Sequence, residues 1–308
     1  MTGVQTCALP IFVYTWGDTA QRYDLKSTTK SIGGMALGLA LGDNLLQLVD
    51  LANTHLATIG VPPVTNRADW LSTITILQLA THTAGFDKPG GYADLLTQPG
   101  TVWSYSDASL NWLADVLTQV YGQDLNTLLF ARAWTAMGIT DAGLRWRDNR
   151  FRDDTLNGIK RREFASGISA NVDVMARIGY LFLRRGDWNG TRLLPESFVD
   201  TVQTPPPESA AATLADPVNF PGATTNYGVL WWTNTEGLLA DVPRDAYWAW
   251  GLGDSLIVVI PSLDIVVARA GNLPENVPTP PLWRPGWNGD YNAIAPFLTP
   301  IAQSVTAP

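Results

Sequence analysis

The chain is all but free of cysteine. Its one thiol, Cys7, sits in the opening stretch MTGVQTCALPI, and no other follows in 308 residues. The body of the protein therefore has no disulfide, no thiolate nucleophile and no cysteine-based zinc site. Histidine is nearly as scarce: His55 and His82 are the only two, too few for a His-rich metal centre. No run of eighteen or more apolar residues occurs, so no segment is expected to span a bilayer. Positive charge is also short, with 20 Lys and Arg against 28 Asp and Glu, a net of −8. Nucleic acid and anionic membrane surfaces are therefore not expected partners. What remains is an ordinary globular composition, 46% apolar and 16% charged, which excludes a disordered or fibrous chain.

The opening stretch lacks a basic start and an apolar central run, so it does not read as a signal peptide. Gly3 and Pro10 bracket it, and neither a helical nor a strand period runs through it. Back-translated, it resembles a widely used sequencing adapter. Residues 1–11 are accordingly expected to be a non-native leader, on a metagenomic contig whose true beginning was lost. Residues 12–308 are long enough for one domain with a substantial core.

Residues 12–16, FVYTW, are aromatic and β-branched, and predict a strand closed by Gly17 and Asp18. SIGGMALGLALG places Ile32, Met35, Ala36, Leu39 and Ala40 at helical spacing. Its glycines each cost about 1 kcal/mol of helix propensity, which points to close packing there. A second helical block, TITILQLATHTAGF, ends at Gly85. PGTVWSYSDASLNWLADVLTQVYG predicts a turn, an extended piece and a helix, capped by Ser106 or Asp107 and ended by Gly122. A further helix begins after Asn171, buries Met175, Ile178 and Phe182, and stops at Gly186. Pro205, Pro206 and Pro207 open a surface excursion. Four strand-like runs follow, YGVLWWTN, AYWAWG, SLIVVI and DIVVARAG, the last two joined as a hairpin. The final segment, YNAIAPFLTPIAQSV, reads as a helix interrupted by Pro296 and Pro300. Helices fill the middle and strands lie at both ends. That predicts an α+β fold: an antiparallel sheet built from both termini and flanked by helices, with an inserted helical subdomain.

Three short motifs carry chemistry. STTK sets Ser27 and Lys30 three apart at a helix start, on one face. A serine hydroxyl needs a base to become a nucleophile, and a lysine serves once burial lowers its pKa. The helix N-terminus adds free N–H groups where an oxyanion would form. Such a pair arises about once by chance in a chain this long, so alone it is weak. WSYSDASL brings Tyr105 and Asp107 to a helix start, where a carboxylate is more often a cap than a catalyst. YWAWGLGD has Gly251 and Gly253 in a strand, fitting either a bulge or a close substrate approach.

In this order the motifs resemble those of the serine β-lactamase-like and penicillin-binding-protein-like hydrolases, the class C type in particular. That group includes esterases, D-amino-acid peptidases and 6-aminohexanoate-dimer hydrolases. STTK matches the family's Ser-x-x-Lys, YSD its Tyr-x-Asn, and AWG its Lys/His-Thr-Gly. LATHTAGF, ASGISANVDVMARIGYLFLRRGDWNG and DSLIVVIPSLDIVV are similar to supporting segments, so the resemblance covers essentially all of residues 12–308. It implies a single domain with an α/β part (12–26 and 190–308) and a mainly helical part (27–189). It also implies a metal-independent hydrolase with no cofactor. Ser27 would be the acylated nucleophile, Lys30 its base and Tyr105 the proton shuttle. The backbone N–H groups of Ser27 and Leu252 would form the oxyanion hole, with Gly251 and Asp107 in support. The family normally places a helix and one or two strands before the nucleophile. An N-terminally truncated sheet with an exposed edge is therefore expected. Export is expected from family habit and the lack of cysteine.

Two departures bear on the substrate. Asp107 replaces an amide, and an ionised carboxylate near Lys30 would favour its protonated form. Either Asp107 points away as a cap, or Tyr105 carries more of the base role. Ala249 replaces the cation expected to hold a substrate carboxylate, which favours esters or small amides over penicillins and peptide C-termini. Trp103, Trp248 and Trp250 are the candidate lining of an apolar pocket. His82 reads as a structural hydrogen-bonding residue, and Lys160, Arg161 and Arg162 as a solvated loop. The expected partner is a small ester or amide. The alternatives are a 6-aminohexanoate-oligomer or D-amino-acid amidase, and a catalytically weak binding homologue.

Overall fold

The structure is a computed structural model that describes residues 11–271 and 291–305; Cys7 lies outside them. In chain order, the elements that position the site begin with β1 (Tyr23–Asp24), α1 (Thr28–Gly33) and α2 (Met35–Gly42). Next come α3 (Ile76–Ala80), β2 (Val102–Trp103), α4 (Asp107–Tyr121), β3 (Leu144–Trp146), β4 (Ile168–Ala170) and α5 (Val172–Leu183). The C-terminal third supplies β5 (Thr213–Leu214), β6 (Trp232–Thr233), β7 (Tyr247–Gly251), β8 (Ser255–Ile260), β9 (Ile265–Arg269) and α6 (Tyr291–Ser304).

Strands β6 to β9 form one antiparallel sheet in sequence order. Its register pairs Trp232 with Trp248, Gly251 with Ser255, and Ile260 with Ile265. The strands β7 and β8 are buried along their whole length, so the sheet is covered on both faces. Period-2 alternation divides their side chains between two cores. Tyr247, Ala249, Ile257 and Val259 join the large cluster shared with α1, α2, α4 and α5. Trp248, Trp250, Leu256, Val258 and Ile260 join a second, aromatic cluster with Tyr291, Ile294 and Leu298 of α6. A smaller sheet runs in the order β1, β4, β3.

Several expectations need correction. FVYTW forms no strand: Val13 is 92% and Trp16 85% exposed, and Phe12 and Tyr14 are also open to solvent. A β-prone segment becomes a strand only by pairing, and this one has no partner among the described residues. The first strand is Tyr23–Asp24, which pairs with β4 rather than with the main sheet. Among the described residues the main sheet is therefore built from the C-terminal runs alone. SIGGMALGLALG divides into two helices at Gly34. A Cβ on Gly38 would lie 2.4 Å from the Phe198 ring, so the close packing that its glycines imply is present. Only Ile76–Ala80 of the second block is α-helical, started by a Thr75–Gln78 capping box. Helix α6 runs through Pro296 and Pro300, both on its exposed face.

Candidate active site

The local chain path explains why Ser27 is presented. Lys26 adopts a left-handed φ of 51°, a conformation that costs a non-glycine residue about 1 kcal/mol or more. Asp24 holds it there, accepting from the Lys26 backbone N–H at 3.1 Å and from its ammonium at 2.7 Å. Ser27 then becomes the N-cap of α1, but its hydroxyl makes no capping bond. It instead accepts from Lys30 Nζ at 3.0 Å and shares a hydrogen bond with Tyr105.

Lys30 is 2% exposed. Its ammonium has three donors and three acceptors: Ser27 Oγ, Asp107 Oδ1 at 2.7 Å and the Ala165 carbonyl at 2.7 Å. It also sits 4.8 Å from the Tyr105 ring centroid. The Ala165 acceptor is held in place by α4, where Asn111 accepts from the Phe164 N–H at 3.0 Å. Burial pulls the Lys30 pKa down; Asp107, and less strongly Glu163, oppose this, and the net direction is downward. Burial, with Asp107 adding to it, pushes the Tyr105 phenol above its ordinary range despite the Ser27 hydrogen bond. Tyr105 is thus a neutral phenol around pH 7.

Asp107 is not the helix cap. Ser106 caps α4, accepting from the Ser109 N–H at 3.0 Å, which leaves the Asp107 carboxylate to face Lys30. The Ser106 N–H donates to His82 Nδ1 at 3.1 Å, so the imidazole proton resides on Nε2. Burial, then the charge of Lys30, holds the His82 pKa well below its usual value, so the ring is neutral. That ring stacks on Tyr105 at 4.4 Å and 26°.

Gly251 ends β7 directly beneath the nucleophile turn. A Cβ there would lie 2.0 Å from the Leu25 carbonyl oxygen and 2.9 Å from the Thr28 nitrogen. Only glycine lets the strand pass so close. Thr28 Oγ1 then ties α1 to β8 by donating to the Ser255 carbonyl at 2.6 Å. Leu252 follows in the turn, and among the described residues neither its N–H nor that of Ser27 has an acceptor. Ala249, on the same face as Gly251, is fully buried against the large core.

The three tryptophans are all buried and belong to one aromatic cluster that also holds Tyr105. Trp103 packs against Tyr105 and His82. Trp248 and Trp250 lie on the opposite face of β7 from Gly251, edge-on to Tyr291 of α6. The basic triplet is not simply a solvated loop. Arg161 is buried and shares Asp115 with buried Arg152, while Arg162 pairs with Asp124; only Lys160 lies open, near Asp148. The site also includes groups not expected from the sequence: the Ala165 carbonyl, buried Glu163 with its Arg147 partner, Phe220 against Tyr105 and Tyr227 against His82. Ala165 opens the ASGISANVD segment, but a backbone carbonyl leaves no trace in residue type, and no motif marks the other four, which the fold brings in from distant parts of the chain. Among the described residues no group of three metal-ligating side chains occurs, and no helix is long and apolar enough to cross a membrane.

Residues 14–286 match the family described as Beta-lactamase. No curated protein matches the chain. Among solved structures, it is similar to a beta-lactamase from Mycobacterium bovis, at 17% identity with a TM-score of 0.62, covering 96% of this chain and 91% of that one. It is also similar to a Bacillus anthracis protein assigned as a 6-aminohexanoate-dimer hydrolase, at 18% identity and TM-score 0.64, covering 85% and 71%. A third is EstCE1, a hydrolase with promiscuous acyltransferase activity, at 17% identity and TM-score 0.60, covering 82% and 81%. These likenesses give the α+β fold as β-lactamase/transpeptidase-like.

Proposed function

Because this chain belongs to the beta-lactamase family, we propose that it is a serine hydrolase acting through an acyl-enzyme on esters or small amides. The observation that carries this reading is Lys30 Nζ, buried and 3.0 Å from Ser27 Oγ. In its neutral form Lys30 takes the Ser27 proton as Oγ bonds to the substrate carbonyl carbon. The resulting oxyanion sits between the N–H groups of Ser27 and Leu252. Its collapse breaks the bond to the leaving alcohol or amine, which receives a proton by way of Tyr105. Water then adds to the acyl-Ser27 carbonyl by the reverse proton route and releases the acid. Buried Ala249 offers no cation for a substrate carboxylate, which supports neutral esters over penicillins. The Bacillus anthracis likeness keeps a 6-aminohexanoate-oligomer amidase as the second reading within the same chemistry.

One observation favours a catalytically weak binding homologue: the 2.7 Å Lys30–Asp107 ion pair, which stabilises the form of Lys30 that cannot act as a base. Intact mass after exposure to a fluorophosphonate, beside Ser27→Ala, separates the two. One adduct on the wild type and none on the variant is expected. No adduct on a protein that melts cooperatively would overturn the hydrolase reading.

A further inference from the structure

Tyr105 is held on both ring faces. His82 lies against one; Phe220 lies against the other, 4.8 Å away and within 4° of parallel. Beyond Phe220, Trp232 continues the pile at 6.5 Å and 9°. Trp103 closes the side, in ring contact with all four. Phe220 differs from the other members in where it comes from. His82 follows α3, Trp103 is in β2, Tyr105 precedes α4 and Trp232 is in β6. Phe220 belongs to an irregular segment after β5, held by the Asp216–Asn219 turn and by the Phe220 N–H to Asp216 carbonyl bond. The neighbouring Val218 is 73% exposed. A buried ring on a surface segment thus fills the space between the proton shuttle and a sheet tryptophan.

We propose that Phe220 is a specificity-determining residue. It occupies a ring-sized slot beside Tyr105, the residue that serves the leaving group, restricting the site to small leaving alcohols or amines and excluding aromatic or bulky ones. The inference rests on the hydrolase reading for its consequence, but the slot itself is independent of it. Truncating a buried ring leaves an apolar cavity, and such cavities stay dry and bind benzene-sized ligands.

Two measurements test this, each beside a melt of the variant. The first is kcat/KM for benzyl acetate relative to methyl acetate. Phe220→Ala should raise that ratio at least about tenfold, the scale on which a hydrophobic pocket discriminates by size. Phe220→Tyr, which keeps the ring, should leave it as in the wild type. An unchanged ratio in a cooperatively melting Phe220→Ala overturns the proposal. The second uses the Ser27→Ala background and toluene. The melt should rise with toluene for Phe220→Ala and not for the parent, since ligand binding only to the folded state stabilises it. No shift overturns the slot. If Phe220→Ala does not melt cooperatively, Phe220→Leu, which retains part of the volume, takes its place in both assays. Failure of the hydrolase reading shows separately, as absence of the fluorophosphonate adduct on the wild type.

Discussion

Asp107 sets the working pH of Lys30 under the proposed mechanism. A carboxylate 2.7 Å from the ammonium favours the charged form, so it raises the pH at which Lys30 becomes a base. Removing that charge lets burial act with less opposition and lowers the Lys30 pKa further. Asp107→Asn should therefore move the rising limb of kcat/KM against pH to lower pH, and raise activity at pH 7. A pH–rate profile on a short-chain ester checks this; a limb that stays put would remove Lys30 as the titrating base. Of these residues, the Ser27–Lys30 pair was legible in the sequence because i and i+3 meet on one helix face. The role of Asp107 was not. A carboxylate at the first helical position looks the same whether it caps the helix or faces a lysine from another element.

The helix α4 and the strand β7 are the elements that hold the site in register. Ser106 satisfies an orphan N–H of α4, accepting from Ser109, and also donates to the Asp87 carbonyl at 2.8 Å. Ser106→Ala should cost about 0.5–2 kcal/mol, read as a lower denaturant midpoint with unchanged slope. At β7, Gly251→Ala has no room beside the Leu25 carbonyl. Relief by backbone movement should cost about 1–3 kcal/mol and separate Ser27 from Leu252, so both the melt and the fluorophosphonate labelling rate should fall. The Gly251 position could be read from its motif. The main-sheet strands were legible as unbroken apolar runs, although β6 is shorter than its run. Their division between two cores was not, since a strand buried on both faces shows no polar alternation to assign.

At the scale of the whole molecule, apolar surface is distributed unevenly. The sheet has a core on each face, yet Ile11 to Trp16 presents five large apolar side chains to solvent. Strand β9 ends the sheet order among the described residues, half-buried along its length. Exposed β-prone segments and open strand edges both promote self-association. Replacing Val13 and Tyr14 together by glutamate should reduce light scattering during heating while leaving the melting temperature unchanged. An unchanged scattering trace would place the association surface elsewhere. The misread strand at 12–16 has the same origin as this exposure: its β-propensity was visible in the sequence, but the missing partner was not.

Position 82 illustrates how little room for drift such a site leaves. Its residue must adopt a φ of +63°, accept from the Ser106 N–H, and lay a flat ring on Tyr105. Asparagine meets the first two demands and lacks the ring; phenylalanine has the ring but no acceptor and is strained at that φ. In a saturation library at this codon, selected for folded and fluorophosphonate-reactive protein, histidine should stand almost alone, with asparagine recovered as folded but slow. The one histidine of the interior would then be held in place by shape and acceptor geometry, without transferring a proton in the reaction.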